Sequence, residues 1–268
     1  MNKLTSKFIV ALFSFTLISF LGILNPSITY ASHSWNGYHW ARTSNPFTLK
    51  LGNNTSGTWT SLLGIASSDW SVSNVLDTTI VPGGTAPKSC RPTRGRDEIC
   101  NANYGNNGWL GLAQIWVTGG THITQGVVKA NDYYFNSGSS YPYKNEAEKL
   151  HVICQEIGHT LGLDHQDESG ASLNTCMDYY HNTSNTDIQS IHPNAHDYEE
   201  LVSIYTHFDA ITTVGQTAKS LPAPAEARGD LNDPSEWGKL VKNNNREGLY
   251  ERDFGNGQKL FTFVTYAK

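Results

Sequence analysis

The sequence predicts an α+β protein, and three observations carry that expectation. Strand-like runs fill the first half, at Phe47–Leu51, Leu110–Thr118 and His122–Asn131, with Gly119-Gly120 punctuating the last two. One strongly periodic helix follows them in NEAEKLHVICQEIGHTLGL, and a second amphipathic segment, PNAHDYEELVSIYTHF, comes after it. At 268 residues, 38% hydrophobic and 16% charged, the chain can build one large domain with a small appendage and is far from a disordered composition.

Taken in order, residues 1–31 read as an export signal. Lys3 and Lys7 form a basic start, Phe8–Leu24 an apolar run, and Thr29-Tyr30-Ala31 a cleavage triplet. The run is long for a signal and short of the roughly 20 residues that span a bilayer. The small residues at the cut favour a cleaved signal over a retained anchor, and no stable membrane association is expected. No cysteine follows the cut, so no lipid-modified terminus is expected. Cleavage removes two lysines from a chain whose formal net charge is −5. The remainder is acidic with no basic patch, which argues against nucleic acid as a partner.

The main domain is placed at residues 32–210. The strand candidate Phe47–Leu51 ends in Gly-Asn-Asn. SLLGIASSDWSVSNVLD has apolar positions at Leu62, Ile65, Ala66, Trp70 and Val72, a weakly helical spacing, and TTIVPGG reads as a strand and turn. Residues 84–108, rich in Gly, Pro, Asn and Arg, are expected to be loop. Ala147, Leu150, Cys154, Ile157 and Leu161 set the periodicity of the strong helix, and Gly162 stops it. In the next segment Asn194 caps, Asp197 lies in the first turn, and Tyr198, Leu201, Val202 and Tyr205 form an apolar stripe. Residues 211–236 read as linker. Residues 237–268 read as a hairpin turning at Asn256-Gly257, which must dock on the main domain or a partner because a lone hairpin is marginal in water.

Four cysteines in an exported chain point to two disulfides. Of three possible pairings the favoured one is Cys90–Cys100, local to a single loop, with Cys154–Cys176.

The chemistry concentrates in QEIGHTLGLDH, residues 155–165. A zinc-hydrolase helix presents two ligands at i and i+4, with a carboxylate after the first to take a proton from water. Glu156 and His159 stand at the base and second-ligand positions, Gly162 lets the chain leave the helix sharply, and His165 returns as a third ligand. The stretch resembles the metzincin metalloprotease motif H-E-x-x-H-x-x-G-x-x-H, and Gly158 and Leu161 make it most similar to the matrixin-like branch. Downstream, TCMDYY matches the family's Met-turn at Met177, and Tyr179 matches a tyrosine that some metzincins place near the metal. The resemblance covers roughly residues 35–208. It implies a twisted mixed sheet with an active-site helix and a C-terminal helix, one catalytic zinc, and secretion. It also implies an extended polypeptide substrate paired on Leu110–Thr118 or His122–Asn131, in what is expected to be a monomer. The Cys154–Cys176 pair would staple the active helix to the Met-turn.

Gln155 departs from the motif, which has histidine there. Three readings stand. Gln155 ligates through its amide oxygen, a harder and weaker zinc donor than imidazole; or another residue takes its place; or the site is inactive and the fold binds ligands without catalysis. His151 is a poor substitute, because it lies about 12 Å along the helix axis from His159 and zinc–nitrogen bonds are about 2 Å. The intact Glu156, His159, His165, Met177 and Tyr179 favour the first reading. The expected function is a secreted zinc-dependent endopeptidase with Glu156 as general base, Gln155, His159 and His165 as ligands, and Tyr179 assisting; the alternative is a non-catalytic binding protein. Asp164, Asp167 and Glu168 could orient His165 or bind calcium, but they read better as a solvated acidic turn. At His122 the sequence shows no ligand set for a second metal, and the remaining histidines carry no site reading. No PRCGVPD-like cysteine switch is present.

Overall fold

The computed structural model describes residues 33–136, 138, 140–217 and 231–267. The proposed signal segment lies outside the described residues. The elements run β1 (His39–Trp40), β2 (Phe47–Asn54), α1 (Thr58–Trp70), β3 (Leu76–Pro82), β4 (Asp97–Ala102), β5 (Trp109–Thr118), β6 (His122–Asn131), α2 (Asp132–Phe135), α3 (Glu146–Thr160), α4 (Ala195–Ile204), β7 (Lys239–Asn243), β8 (Glu247–Gly255) and β9 (Gln258–Tyr266). The α+β expectation holds. Among the described residues the strands join in one mixed sheet, ordered β3-β2-β4-β6-β5-β9-β8-β7, with β1 also paired to β6.

β2, β3, β4 and β6 run parallel, whereas β5 is antiparallel to β6. The loop expectation for residues 84–108 is corrected at β4, a central strand between β2 and β6. Its sequence, DEICNA, hides its burial behind charge. Glu98 is fully buried, yet Arg96 Nε donates to it at 2.9 Å, Asn54 Nδ2 at 2.7 Å and the Gly84 amide at 3.0 Å. A charge so partnered can sit in a parallel sheet covered on both faces.

The hairpin expectation holds, and the hairpin docks on the main sheet. Asn256 and Gly257 both have positive φ, 55° and 71°, as a two-residue type I′ turn requires. β9 pairs antiparallel along β5, in register from Val117↔Lys259 to Gly111↔Thr265. Alternation then splits its side chains. Phe261 and Phe263 join the core cluster under α3, while Leu260 and Val264 pack on the opposite face, where Val264 meets Trp237. The described ends of the proposed linker are anchored as well. Thr213 exchanges hydrogen bonds with Ala41 at 2.8 and 3.0 Å, and Leu231 is buried.

α3 begins where Asn145 accepts from the Glu148 amide at 2.8 Å and ends before Gly162, whose φ is 97°. A side chain at Gly162 would meet the Tyr38 carbonyl at 2.2 Å. α4 carries the expected cap, a reciprocal box between Asn194 and Asp197. In its stripe Leu201 and Tyr205 are buried, whereas Val202 faces solvent. Both disulfides form, Cys90–Cys100 and Cys154–Cys176, which fits an oxidising compartment. Among the described residues no helix is long and apolar enough to cross a membrane.

Candidate active site

The last turn of α3, the turn after it and the C-terminal hairpin meet at one buried point. His159 is fully buried, and its Nδ1 lies 2.9 Å from the Leu163 carbonyl. A carbonyl can only accept, so Nδ1 carries the proton and Nε2 keeps a lone pair. Nε2 has no hydrogen-bond partner. Burial, then the neighbouring His165, depress the His159 pKa well below the usual value and keep the ring neutral.

His165 lies edge-on to His159, ring centroids 4.5 Å apart, and its Nδ1 is 3.2 Å from Asp164 Oδ1. Its Nε2 is in close contact with Glu247 Oε2, at the start of β8, without hydrogen-bond geometry. Donor atoms of His159, His165 and Glu247 all lie within 4.8 Å of one another. Burial would lower the His165 pKa, but Glu247 and Asp164 outweigh it and raise it to about 9. Burial would raise the Asp164 pKa, but His165 and Lys242 hold it well below the carboxylate range.

Glu156 is fully buried beside this cluster. Its Oε1 accepts from the Thr265 hydroxyl at 2.7 Å and its Oε2 has no partner. Burial pushes its pKa well up, against the Thr265 bond, and the Glu247 charge adds to the rise. Gly111 on β5 makes this approach feasible, because a Cβ there would stand 2.8 Å from Glu156 Oε1 and 2.5 Å from Val152.

The structure thus brings Glu156, His159 and His165 together and adds Glu247. Gln155 is held at both ends of its amide. Its Nε2 donates to the Asp178 carbonyl at 2.9 Å, and its Oε1 accepts from Thr265 at 3.1 Å. His151 is buried and hydrogen-bonds the Ser190 carbonyl through Nδ1. Met177 lies directly under the helix, since a Cβ on Gly158 would meet its sulfur at 2.4 Å. Tyr179 places its ring 4.3 Å from that of His165, and burial raises its pKa before the nearby carboxylates add to the rise. In the acidic turn, Asp164 and Glu168 pair with Lys242, while Asp167 accepts from the Ser169 and Gly170 amides.

The hairpin residues here, Glu247, Phe263 and Thr265, escaped sequence reasoning. Phe263 stacks on His159 at 4.1 Å with an interplanar angle of 8°. Phe261, Phe263 and Thr265 alternate along β9, and that period was a visible signal. Nothing local tied it to α3. The orphaned lone pair of His159, with His165 and Glu247 close by, makes a donor set of the type zinc takes, and Glu156 lies beside it. No protein-family model, curated protein or solved structure matches the chain.

Proposed function

We propose that the protein is a secreted zinc-dependent endopeptidase of the metzincin type, matrixin-like, whose C-terminal hairpin closes the cleft. The observation that carries the reading is the convergence of His159 Nε2, buried and without a hydrogen bond, with His165 and Glu247, beside the buried and unpartnered Glu156 Oε2. His159 and His165 would hold the ion, with Glu247 as third ligand while the hairpin is docked. Displacing β9 releases the Thr265 bond to Gln155 Oε1, which frees that oxygen to take the third place. The bound zinc would supply Lewis acidity and lower the pKa of water toward about 7.

The chain's own residues do the rest. A polypeptide substrate pairs antiparallel on β5, where β9 now lies, and backbone hydrogen bonds of that ladder fix its register. Glu156 takes the proton of the attacking water and delivers it to the leaving amine. The desolvation that raises its pKa also suits it to hold that proton between the two steps. The Tyr179 hydroxyl donates to the oxyanion of the tetrahedral intermediate. The Leu163 carbonyl and Asp164 orient the two imidazoles.

A second reading, a closed metal centre without catalysis, is favoured by one feature: Glu247 and Phe263 fill the site. One experiment separates the two. Zinc content and peptide cleavage are measured on the full chain, on a Thr265→Ala, Arg246→Ala variant that loosens the hairpin, and on the same variant with Glu156→Gln. We expect cleavage from the loosened chain and a loss of about 10²–10⁴-fold on adding Glu156→Gln, with zinc retained. Zinc retention without cleavage in any form would establish the non-catalytic reading.

A further inference from the structure

Four donor side chains from distant parts of the chain converge at the start of β6. His39 on β1 stands in register with His122, the first residue of β6, and His207 and Asp209 follow α4. Asp209 Oδ1 lies 3.4 Å from His39 Nε2, 3.2 Å from His122 Nε2 and 3.6 Å from His207 Nε2. His207 Nε2 is 3.1 Å from His39 Nε2. Ligand atoms of a tetrahedral ion with bonds of about 2.0–2.1 Å stand about 3.3 Å apart. These separations match.

We propose that His39, His122, His207 and Asp209 form a second divalent-metal site of the kind zinc occupies. The surrounding bonds preset the donors. His39 Nδ1 lies 2.7 Å from the Gly37 carbonyl, so it carries the proton and leaves the Nε2 lone pair aimed at the cluster. With Nδ1 as the donor, a bare Nε2 lone pair facing a carboxylate oxygen at 3.4 Å is repulsive unless something positive stands between them. Asp209 Oδ2 is already taken by the Arg42 backbone amide and guanidinium, each at 3.1 Å, which leaves Oδ1 for the cluster. The same guanidinium bonds the His207 carbonyl. One carboxylate oxygen has lone pairs for two donors, yet three rings present Nε2 to it. A cation satisfies all four groups at once. Three imidazoles and one carboxylate suit zinc better than calcium or magnesium, which take oxygen ligands. A metal here would fasten β1 and the segment after α4 to the end of β6.

The test is the zinc content of the full chain, stripped with chelator, reloaded with zinc and freed of excess metal. The parent is compared with a His122→Ala, His207→Ala variant and with a His159→Ala, His165→Ala variant. His122 and His207 are partly exposed, 23% and 55% at the side chain, so the first variant should fold. We expect it to hold one equivalent less than the parent, and its melting temperature to lose the part of the zinc response that this site supplies. The second variant should keep one equivalent. Equal zinc in the parent and the His122→Ala, His207→Ala variant would overturn the proposal. Failure of the α3 site alone would look different: one equivalent in the parent, all of it lost with His122 and His207.

Discussion

The Thr265 hydroxyl touches two side chains that are neighbours on α3, Gln155 at 3.1 Å and Glu156 at 2.7 Å. Its one proton is shared between the two acceptors, with the shorter bond to Glu156. That hydroxyl helps make a buried carboxyl tolerable, because an unpaired one costs several kcal/mol on the order-of-magnitude scale for buried polar groups. A second buried carboxyl shows the same physics away from the site. Asp97 is fully buried, and desolvation pushes its pKa to about 7, against the Thr160 hydrogen bond at 2.6 Å and with help from Glu98. Its pKa in the fold exceeds the ordinary 3.8, so between those values the native state holds a proton the unfolded chain lacks. Stability then falls as pH rises through that window, by up to about 1.4 kcal/mol per pH unit. We expect Asp97→Asn to flatten this slope, as urea unfolding at about pH 5 and about pH 7 would show. An unchanged slope would mean that Asp97 is ionised in the fold.

At the scale of elements, the hairpin covers the site. β9 extends the sheet on β5, Phe263 covers His159, and Glu247 brings a carboxylate to His165. Its far corner is tied by Arg246 Nη1, which donates to the Tyr179 carbonyl at 2.6 Å, and by Lys242, which pairs with Asp164 and Glu168. The Lys242 pairs are partly exposed and contribute little. The Arg246 bond is charge-assisted and half-buried, worth on the order of 1–2 kcal/mol after allowance for solvent. Arg246→Ala should therefore speed amide hydrogen exchange in β8 and β9 while α3 keeps its protection. Equal acceleration in α3 would show that hairpin and helix open as one unit.

For the whole molecule, the two disulfides act on different faces. Cys90–Cys100 holds the loop before β4 against Trp116 and Leu260, and Cys154–Cys176 joins α3 to the turn that carries Met177. The second closes 22 residues, a loop whose constraint on the unfolded chain is worth about 2–4 kcal/mol. Replacing both cysteines by alanine should lower denaturant stability by that amount. A much smaller drop would show that α3 and the Met177 turn are held by packing of Trp70, Gly158 and Met177 alone.

Local chemistry was legible in the sequence because it obeys local geometry. The helical spacing and glycine exit of QEIGHTLGLDH place Glu156, His159 and His165 together through one helix and one turn, and the Asn256-Gly257 hairpin follows from backbone preference. Other features needed the assembled fold. β4 was masked because its buried Glu98 is satisfied by Arg96 and by hydrogen-bond partners as distant as Asn54. Glu247 reaches His165 only through the β5–β9 ladder. The four donors at His39, His122, His207 and Asp209 span about 170 positions and share no motif. Such contacts come from burial and strand pairing between remote segments, which no short-range pattern encodes.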